Sequence, residues 1–195
     1  MAIGDPYQTL EYMERGMLHV RYLLNKSSTV LQNAGIPYAV IGGNAIAAWV
    51  ETINPKGARN TNDVDLLLRR EDFVRAKALL EADGFTYYDV MGVTVFLDAP
   101  EGNPSDGIHI LWANEKVREN YATSNPDPAE SSIVGDRRIL NLESLVRMKL
   151  NSFRRKDQVH LQDLLRVGLI DADWPKKYPP QLAARLQEIL DDPEG

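Results

Sequence analysis

The segments YAVIGGNAIAAWV (residues 38–50) and RNTNDVDLLL (residues 59–68) decide the fold of this chain. An apolar strand over residues 38–41 runs into two glycines, and a helix is predicted at once, over about residues 44–51. A second apolar strand then carries Asp63 and Asp65, with Val64 between them. Because side chains alternate faces along a strand, the two carboxylates are expected to project together.

Two carboxylates on one face repel each other unless a cation lies between them. Their spacing suits Mg²⁺ or Mn²⁺, since Mg²⁺ in proteins takes one or two carboxylates together with substrate phosphates. Gly42 and Gly43 allow bare backbone to approach a phosphate at a helix N-terminus, which favours anions. The two segments therefore predict a site for a metal ion and a nucleotide.

This order of elements resembles the nucleotidyltransferase superfamily, whose signature is a strand, Gly-Gly or Gly-Ser, a helix, and Asp-x-Asp on the next strand. The version here, GGNA followed by NDVD, is most similar to the minimal AbiEii-like and MenA-like toxin branch. The resemblance covers residues 36–111 well and the C-terminal helices loosely. It implies an α/β (α+β) fold, with a mixed sheet flanked by helices and a C-terminal helical subdomain.

The same resemblance implies a metal-dependent enzyme that moves a nucleoside monophosphate from a nucleoside triphosphate to an acceptor hydroxyl. Asp63 and Asp65 would hold Mg²⁺ or Mn²⁺, and Gly42, Gly43 and Asn44 would bind phosphate. Asn44 stands where many relatives have Ser or Thr. A tRNA end, a protein hydroxyl and a small molecule such as an aminoglycoside all fit as acceptor.

The family usually places a third carboxylate on a later strand, and here the matching triplet is Ile-His-Ile, centred on His109. Imidazole can serve as a general base near neutral pH, but it is a poorer Mg²⁺ ligand than carboxylate. Asp98 and Asp106 are alternative third carboxylates, and His109 can also be read as a histidine satisfied beside the sheet. This departure favours a second hypothesis, a catalytically degenerate nucleotide-binding protein or a toxin–antitoxin partner.

Further residues match the family around the nucleotide. Arg59 and Thr61 precede the aspartates and are expected to orient that loop or touch phosphate. Lys149 is predicted to bind triphosphate from the polar side of its helix, and therefore to contribute little to folding. Asp157 opens the next helix beside Lys156. These charges can also be read as a solvated basic face with local ion pairs.

Composition limits the classes of function. The chain has 195 residues, no cysteine, and no apolar run that approaches a membrane span, and its start, MAIGDPYQ, lacks a signal-peptide pattern. We therefore expect a cytoplasmic protein with no membrane partner. A net charge of −6 argues against broad nucleic-acid binding, although five basic residues fall within residues 147–156.

Periodicity and turn residues predict three regions. Residues 1–117 hold an N-terminal helix (8–34) and the core, with a helix at 70–83 and strands at 85–90, 93–98 and 108–112. Residues 118–136 contain prolines, serines and acidic residues with little periodicity, which indicates a loop or lid. Residues 137–195 form a helical region, with helices predicted at 142–153, 156–167 and 180–190.

Overall fold

The computed structural model describes residues 6–193, apart from the side chains of residues 6–10, 12 and 13. The ends of the predicted regions, residues 1–5 and 194–195, lie outside that description. The helices are α1 (Pro6–Asn33), α2 (Gly42–Glu51), α3 (Phe73–Ala82), α4 (Leu142–Ser152), α5 (Arg155–Arg166) and α6 (Pro180–Asp191). The strands are β1 (Tyr38–Ile41), β2 (Val64–Leu68), β3 (Thr86–Val90), β4 (Val93–Leu97), β5 (Ile108–Trp112), β6 (Ser131–Val134) and β7 (Arg137–Leu140).

All these strands belong to one mixed sheet with the order β3-β4-β5-β2-β1-β7-β6. β1 is antiparallel to β2 and parallel to β7, and β2 is parallel to β5. Every side chain of β1 is buried, and so is every side chain of β2 except that of Asp65. Strands covered on both faces need continuous apolar runs, which explains the sequences YAVI and LLL. The one carboxylate in β2 therefore stands out at the centre of the sheet.

Two groups of helices cover the sheet. α1 packs against α3, β1 and β2, while α2 contacts β1, β2 and β7 and also packs against α4 and α5. α4, α5 and α6 contact one another. The predicted helices and the predicted strands of the core are confirmed to within a few residues, and so is the mixed α/β fold. No helix within residues 6–193 is both long and apolar enough to cross a membrane.

The prediction of a loop or lid over residues 118–136 is wrong at its C-terminal end. Residues 131–134 form β6, which pairs with β7 through a turn at Gly135. β7 then pairs with β1 at the centre of the sheet. Strands of four residues are too short to show a clear alternation, so the hairpin left no periodic signal in the sequence. The helical region predicted over residues 137–195 likewise begins with a strand, β7. Apart from these two points, the division into a core, a loop and a helical region stays a prediction.

Candidate active site

Three side chains meet at one end of β2 and β5. Asp65 lies in register with His109 on the parallel neighbouring strand, and Asp63 immediately precedes β2. The Nδ1 atom of His109 is 3.8 Å from Oδ2 of Asp63 and 3.7 Å from Oδ1 of Asp65. Within residues 6–193 these side chains form the one group of three His, Cys, Asp or Glu residues that could hold a metal ion. We call them the carboxylate–histidine cluster.

The ring of His109 has a defined orientation. Its Nε2 atom is 2.8 Å from the carbonyl oxygen of Pro104. Because a carbonyl can only accept, Nε2 carries a hydrogen and donates it, so that a neutral ring has its lone pair on Nδ1. The pKa of His109 is raised, chiefly by Asp65 and also by Pro104 and Asp63, against the opposing effect of burial. Positive charge at Nδ1, from a proton or a metal ion, therefore stabilises the cluster.

Gly42 is required by the geometry of the cluster. It begins α2 with a φ of +68°, a left-handed conformation that favours glycine. A Cβ atom at this position would lie 1.9 Å from Oδ2 of Asp65, inside the carboxylate itself. A Cβ atom on Gly43 would also have little space, since it would lie 3.1 Å from Cβ of Thr61. The first turn of α2, whose amides lack intrahelical acceptors, thus lies directly against the cluster.

Asn44 and Thr61 orient the residues that carry the carboxylates. The side-chain amide of Asn44 donates to the carbonyl oxygen of Asp63 over 2.7 Å. The hydroxyl of Thr61 donates to Oδ1 of Asp63 over 2.6 Å. Both side chains therefore support Asp63 directly. Their predicted contacts with phosphate, like those of Gly42 and Gly43, stay predictions.

Arg59 connects the loop before β2 to helix α5. Its Nε atom donates to Oδ2 of the buried Asp163 over 2.6 Å, and Arg166 donates to Oδ1 of the same carboxylate over 2.9 Å. Slightly more than half of the Arg59 side chain is exposed. The structure thus gives Arg59 the role of a tether, and its predicted contact with a nucleotide stays a prediction.

A cavity of about 600 Å³ opens beside the cluster. Gly42 and the three cluster residues line one part of it. The rest is lined by residues of β5, α4 and α5 and by parts of the connecting segments, mainly residues 115–125. The cationic side chains that reach it are Arg70, Lys116, Arg118, Lys149, Arg154 and Lys156. A carboxylate–histidine cluster and a set of cations within one cavity suit a ligand that carries both phosphates and a metal ion.

Lys149 and Asp157 form a buried ion pair in the wall of this cavity. The Lys149 ammonium is 3.1 Å from Oδ1 of Asp157, and the two residues are 6% and 0% exposed. Ser152 and Arg154 also donate to Asp157 over 2.8 Å. Burial alone would raise the pKa of Asp157, but these hydrogen bonds and the Lys149 charge lower it to about 2. The premise that Lys149 lies on the exposed polar side of its helix is therefore wrong, because the lysine is buried and paired.

Part of the predicted basic face over residues 147–156 is paired with carboxylates. Arg147 pairs with Glu130 over 2.9 Å, and Lys149 and Arg154 both pair with Asp157. His160, one turn further along α5, is mostly buried, and its Nδ1 atom has no hydrogen-bond partner. Burial and the nearby Lys149 lower the pKa of His160 to about 4, so the ring is neutral at pH 7. This region forms part of the cavity wall, and Arg154, Arg155 and Lys156 remain exposed.

Two solved structures resemble this arrangement. JHP933 from Helicobacter pylori matches with a TM-score of 0.53 at 16% identity, over 91% of this chain and 75% of that one. An antigenic nucleotidyltransferase-like protein from Paracoccidioides brasiliensis also matches with a TM-score of 0.53, at 14% identity, over 90% of this chain and 89% of that one. The chain has the nucleotidyltransferase fold. No family model matches the sequence, and no curated protein matches it.

In this nucleotidyltransferase fold, the alternative third carboxylates do not reach the cluster. Asp98 faces His19, with Oδ1 3.8 Å from the His19 Nε2 atom, and Asp106 accepts a hydrogen bond from Ser105. Neither aspartate joins Asp63, Asp65 and His109 in the group within residues 6–193 that could hold a metal ion. His109 therefore lies beside both aspartates, and its predicted role as the third site residue stays a prediction.

Sequence reasoning missed the groups that hold the site residues in place. The carbonyl of Pro104 orients His109, and the hydroxyl of Ser152 donates to Asp157. A backbone carbonyl leaves no signal in a sequence, because every residue has one. The serine lies five positions before Asp157, across the junction of α4 and α5, and no helical spacing connects the two residues.

Proposed function

We propose that the chain is a metal-dependent nucleotidyltransferase, which moves a nucleoside monophosphate from a nucleoside triphosphate to an acceptor hydroxyl. One observation carries this proposal. The carboxylate–histidine cluster lies against the N-terminus of α2, through Gly42, in a cavity that also contains six cationic side chains. The absence of cysteine supports the cytoplasm as the location that we propose.

Different residues of the chain would bind the cation and the phosphates. Asp63 and Asp65 would hold the cation, which neutralises phosphate charge and orients the triphosphate when bound. The amides at the start of α2 would donate to phosphate oxygens. Arg154, more than half exposed at the cavity, would contact the same anion. The ligand atoms that lie together in the cluster, two carboxylate oxygens and one imidazole nitrogen, fit a divalent ion.

A second candidate function is a nucleotide-binding protein that does not catalyse transfer, such as a toxin–antitoxin partner. The observation that favours it is the histidine in the third ligand position. The Nε2–H group of His109 is held by Pro104 and its Nδ1 atom faces the two aspartates. Both nitrogens are therefore directed at the protein, which speaks against His109 as the base that removes a proton from an acceptor.

The test is a transfer assay. Each α-labelled nucleoside triphosphate is incubated with the protein and Mg²⁺ or Mn²⁺, together with total tRNA, cell-lysate protein or an aminoglycoside. We expect label to move to one of these acceptors. Asp63→Asn and Asp65→Asn should abolish transfer, whereas Asp136→Asn, at an aspartate that is 84% exposed and outside the cavity, should leave it unchanged.

Calorimetry of nucleotide binding separates the two candidates. Metal-dependent triphosphate binding that depends on Asp63 and Asp65, without transfer to any acceptor, would support the non-catalytic protein. Equal triphosphate affinity of the wild type and both asparagine variants would show that the cluster is not the nucleotide site, and would overturn both candidates.

A further inference from the structure

We propose that His109 makes this site bind Mn²⁺ in preference to Mg²⁺. The inference rests on the metal site of the proposed function and does not require the transfer reaction. His109 stands where the three-carboxylate pattern that the sequence resembles has a carboxylate.

The first step is the position of the imidazole. One ligand atom each from Asp63, Asp65 and His109 lies within 4.8 Å of the other two, so a single ion can contact all three. The contributing nitrogen is Nδ1, at 3.7 and 3.8 Å from the nearest carboxylate oxygens. The side chains of Asp63, Asp65 and His109 are each between one fifth and one quarter exposed, so the group is accessible from the cavity.

The second step is the hydrogen bond on the far side of the ring. Metal-bound histidines typically donate their other N–H to a carbonyl or carboxylate, which fixes the tautomer and makes the ligating nitrogen more basic. Nε2 of His109 and the carbonyl of Pro104, 2.8 Å apart, form this contact. The lone pair of the neutral ring is therefore directed at the carboxylates. Because a lone pair and a carboxylate repel each other, this arrangement is stable only with a cation or a proton between them.

The third step is the chemistry of the donor set. Mg²⁺ prefers oxygen donors, whereas imidazole suits transition ions, whose affinity for nitrogen-containing sites rises from Mn²⁺ along the first row. Replacement of a carboxylate by an imidazole also removes one negative charge, which weakens the attraction for any hard divalent ion. Mn²⁺ accepts carboxylate, water and phosphate oxygens as Mg²⁺ does, and it therefore fits the remaining positions.

The competing explanation is that a proton occupies the space between Nδ1 and the carboxylates. A protonated His109 would form ion pairs with Asp63 and Asp65 and would neutralise part of the cluster without a metal ion. In that case the cluster binds Mn²⁺ and Mg²⁺ equally weakly, and no imidazole nitrogen coordinates an added ion.

The experiment uses the full chain, stripped of metal, with Mn²⁺ and no nucleotide. Disappearance of the electron paramagnetic resonance signal of aqueous Mn²⁺ measures binding, and displacement by Mg²⁺ gives the ratio of the two affinities. His109→Asp should lower the preference for Mn²⁺ by about tenfold or more. His19→Asp is the matched control, since His19 also faces an aspartate, Asp98, but lies outside the cluster, and its ratio should not change.

A second measurement on the wild type keeps the test decisive if His109→Asp fails to fold. Electron spin-echo modulation of bound Mn²⁺ should show a directly coordinated ¹⁴N nucleus. Equal affinities for Mn²⁺ and Mg²⁺, or bound Mn²⁺ without a ¹⁴N signal, would overturn the inference while leaving the proposed function intact. Mn²⁺ selection by a protein that transfers no label would instead uphold the inference and remove the proposed function.

Discussion

At the scale of single residues, Gly42 shows how the backbone and the cluster depend on each other. It combines a φ of +68° with the absence of any space for a Cβ beside Asp65. Gly42→Ala should therefore displace the Asp65 carboxylate and strongly weaken metal binding. We also expect a loss of roughly 1 kcal/mol in the free energy of unfolding from the left-handed backbone alone. Thermal unfolding with and without Mn²⁺ measures both effects.

Gly35→Ala is the matched control for this substitution. Gly35 has a φ of +65°, but a Cβ atom there would meet nothing within 4 Å. Its replacement should cost a similar amount of stability and should leave the Mn²⁺-induced rise in melting temperature intact. Equal losses of metal binding in the two variants would show that backbone strain, and not the contact with Asp65, is responsible.

Lys149 provides a second prediction at this scale. Replacement of one partner of a buried ion pair leaves the other charge buried without that partner. Arg154 and Ser152 nevertheless continue to contact Asp157. Lys149→Met should lower the free energy of unfolding by about 2 kcal/mol or more. Lys156→Met replaces an exposed lysine of the same cavity and should change it by at most about 0.5 kcal/mol. Similar denaturation midpoints for the two variants would contradict the structural role of Lys149.

Residues whose roles follow from local rules could be predicted from the sequence. Asp63 and Asp65 share a face because strands alternate, and His109 occupies the matching place on the parallel strand. The burial of Lys149 could not be predicted, since it depends on how α4 and α5 meet. An amphipathic pattern identifies the apolar side of a helix, but it does not show that a lysine at its edge is covered by another helix.

At the scale of secondary-structure elements, the loop between α2 and β2 depends on its attachment to α5. Arg59→Ala should release that loop, raise amide hydrogen exchange over residues 58–63, and weaken triphosphate binding several-fold through the misplacement of Asp63. Arg166→Ala is the matched control, because it removes the other guanidinium from Asp163 without touching the loop. If Arg59 instead contacted phosphate directly, its loss would weaken triphosphate binding without a change in exchange.

The hairpin β6–β7 is the secondary-structure feature that could not be predicted from the sequence. Helices with 10 to 28 residues could be located from their apolar periodicity, as α1 and α3 were. The hairpin strands have four residues each, and several of their side chains are exposed, so the sequences SSIV and RRIL resemble a polar loop. Pairing of β7 with β1 joins residues about a hundred positions apart, a relation that no local pattern contains.

At the scale of the whole molecule, the chain shares one hydrophobic core across the predicted boundaries. Core residues of β1 and α2 belong to the same buried cluster as Leu145 of α4, Leu161 of α5 and Leu186 of α6. A fragment of residues 1–117 should therefore show no cooperative thermal transition by circular dichroism. The full chain, which includes residues 118–195, should show a cooperative transition. A cooperative transition in the shorter fragment alone would show that it is an independent domain.

The class of fold could be predicted at this scale because strand, glycine pair, helix and aspartate strand follow one another within residues 38–68, and their order is enough to indicate the architecture. The position of the C-terminal helices could not be predicted with the same detail. α4 and α5 line the cavity and pack against α2, and the contacts that place them depend on the shapes of all three helices.

The register between β2 and β5 also bears on how mutation can change this site during evolution. The proposed third ligand, His109, comes from a single position on an ordinary strand and is supported by a backbone carbonyl that any residue supplies. Codons for histidine and aspartate differ only in their first base. A point mutation in the gene can thus exchange the two side chains without rebuilding the scaffold, and under the proposed selectivity it would also change the preferred ion.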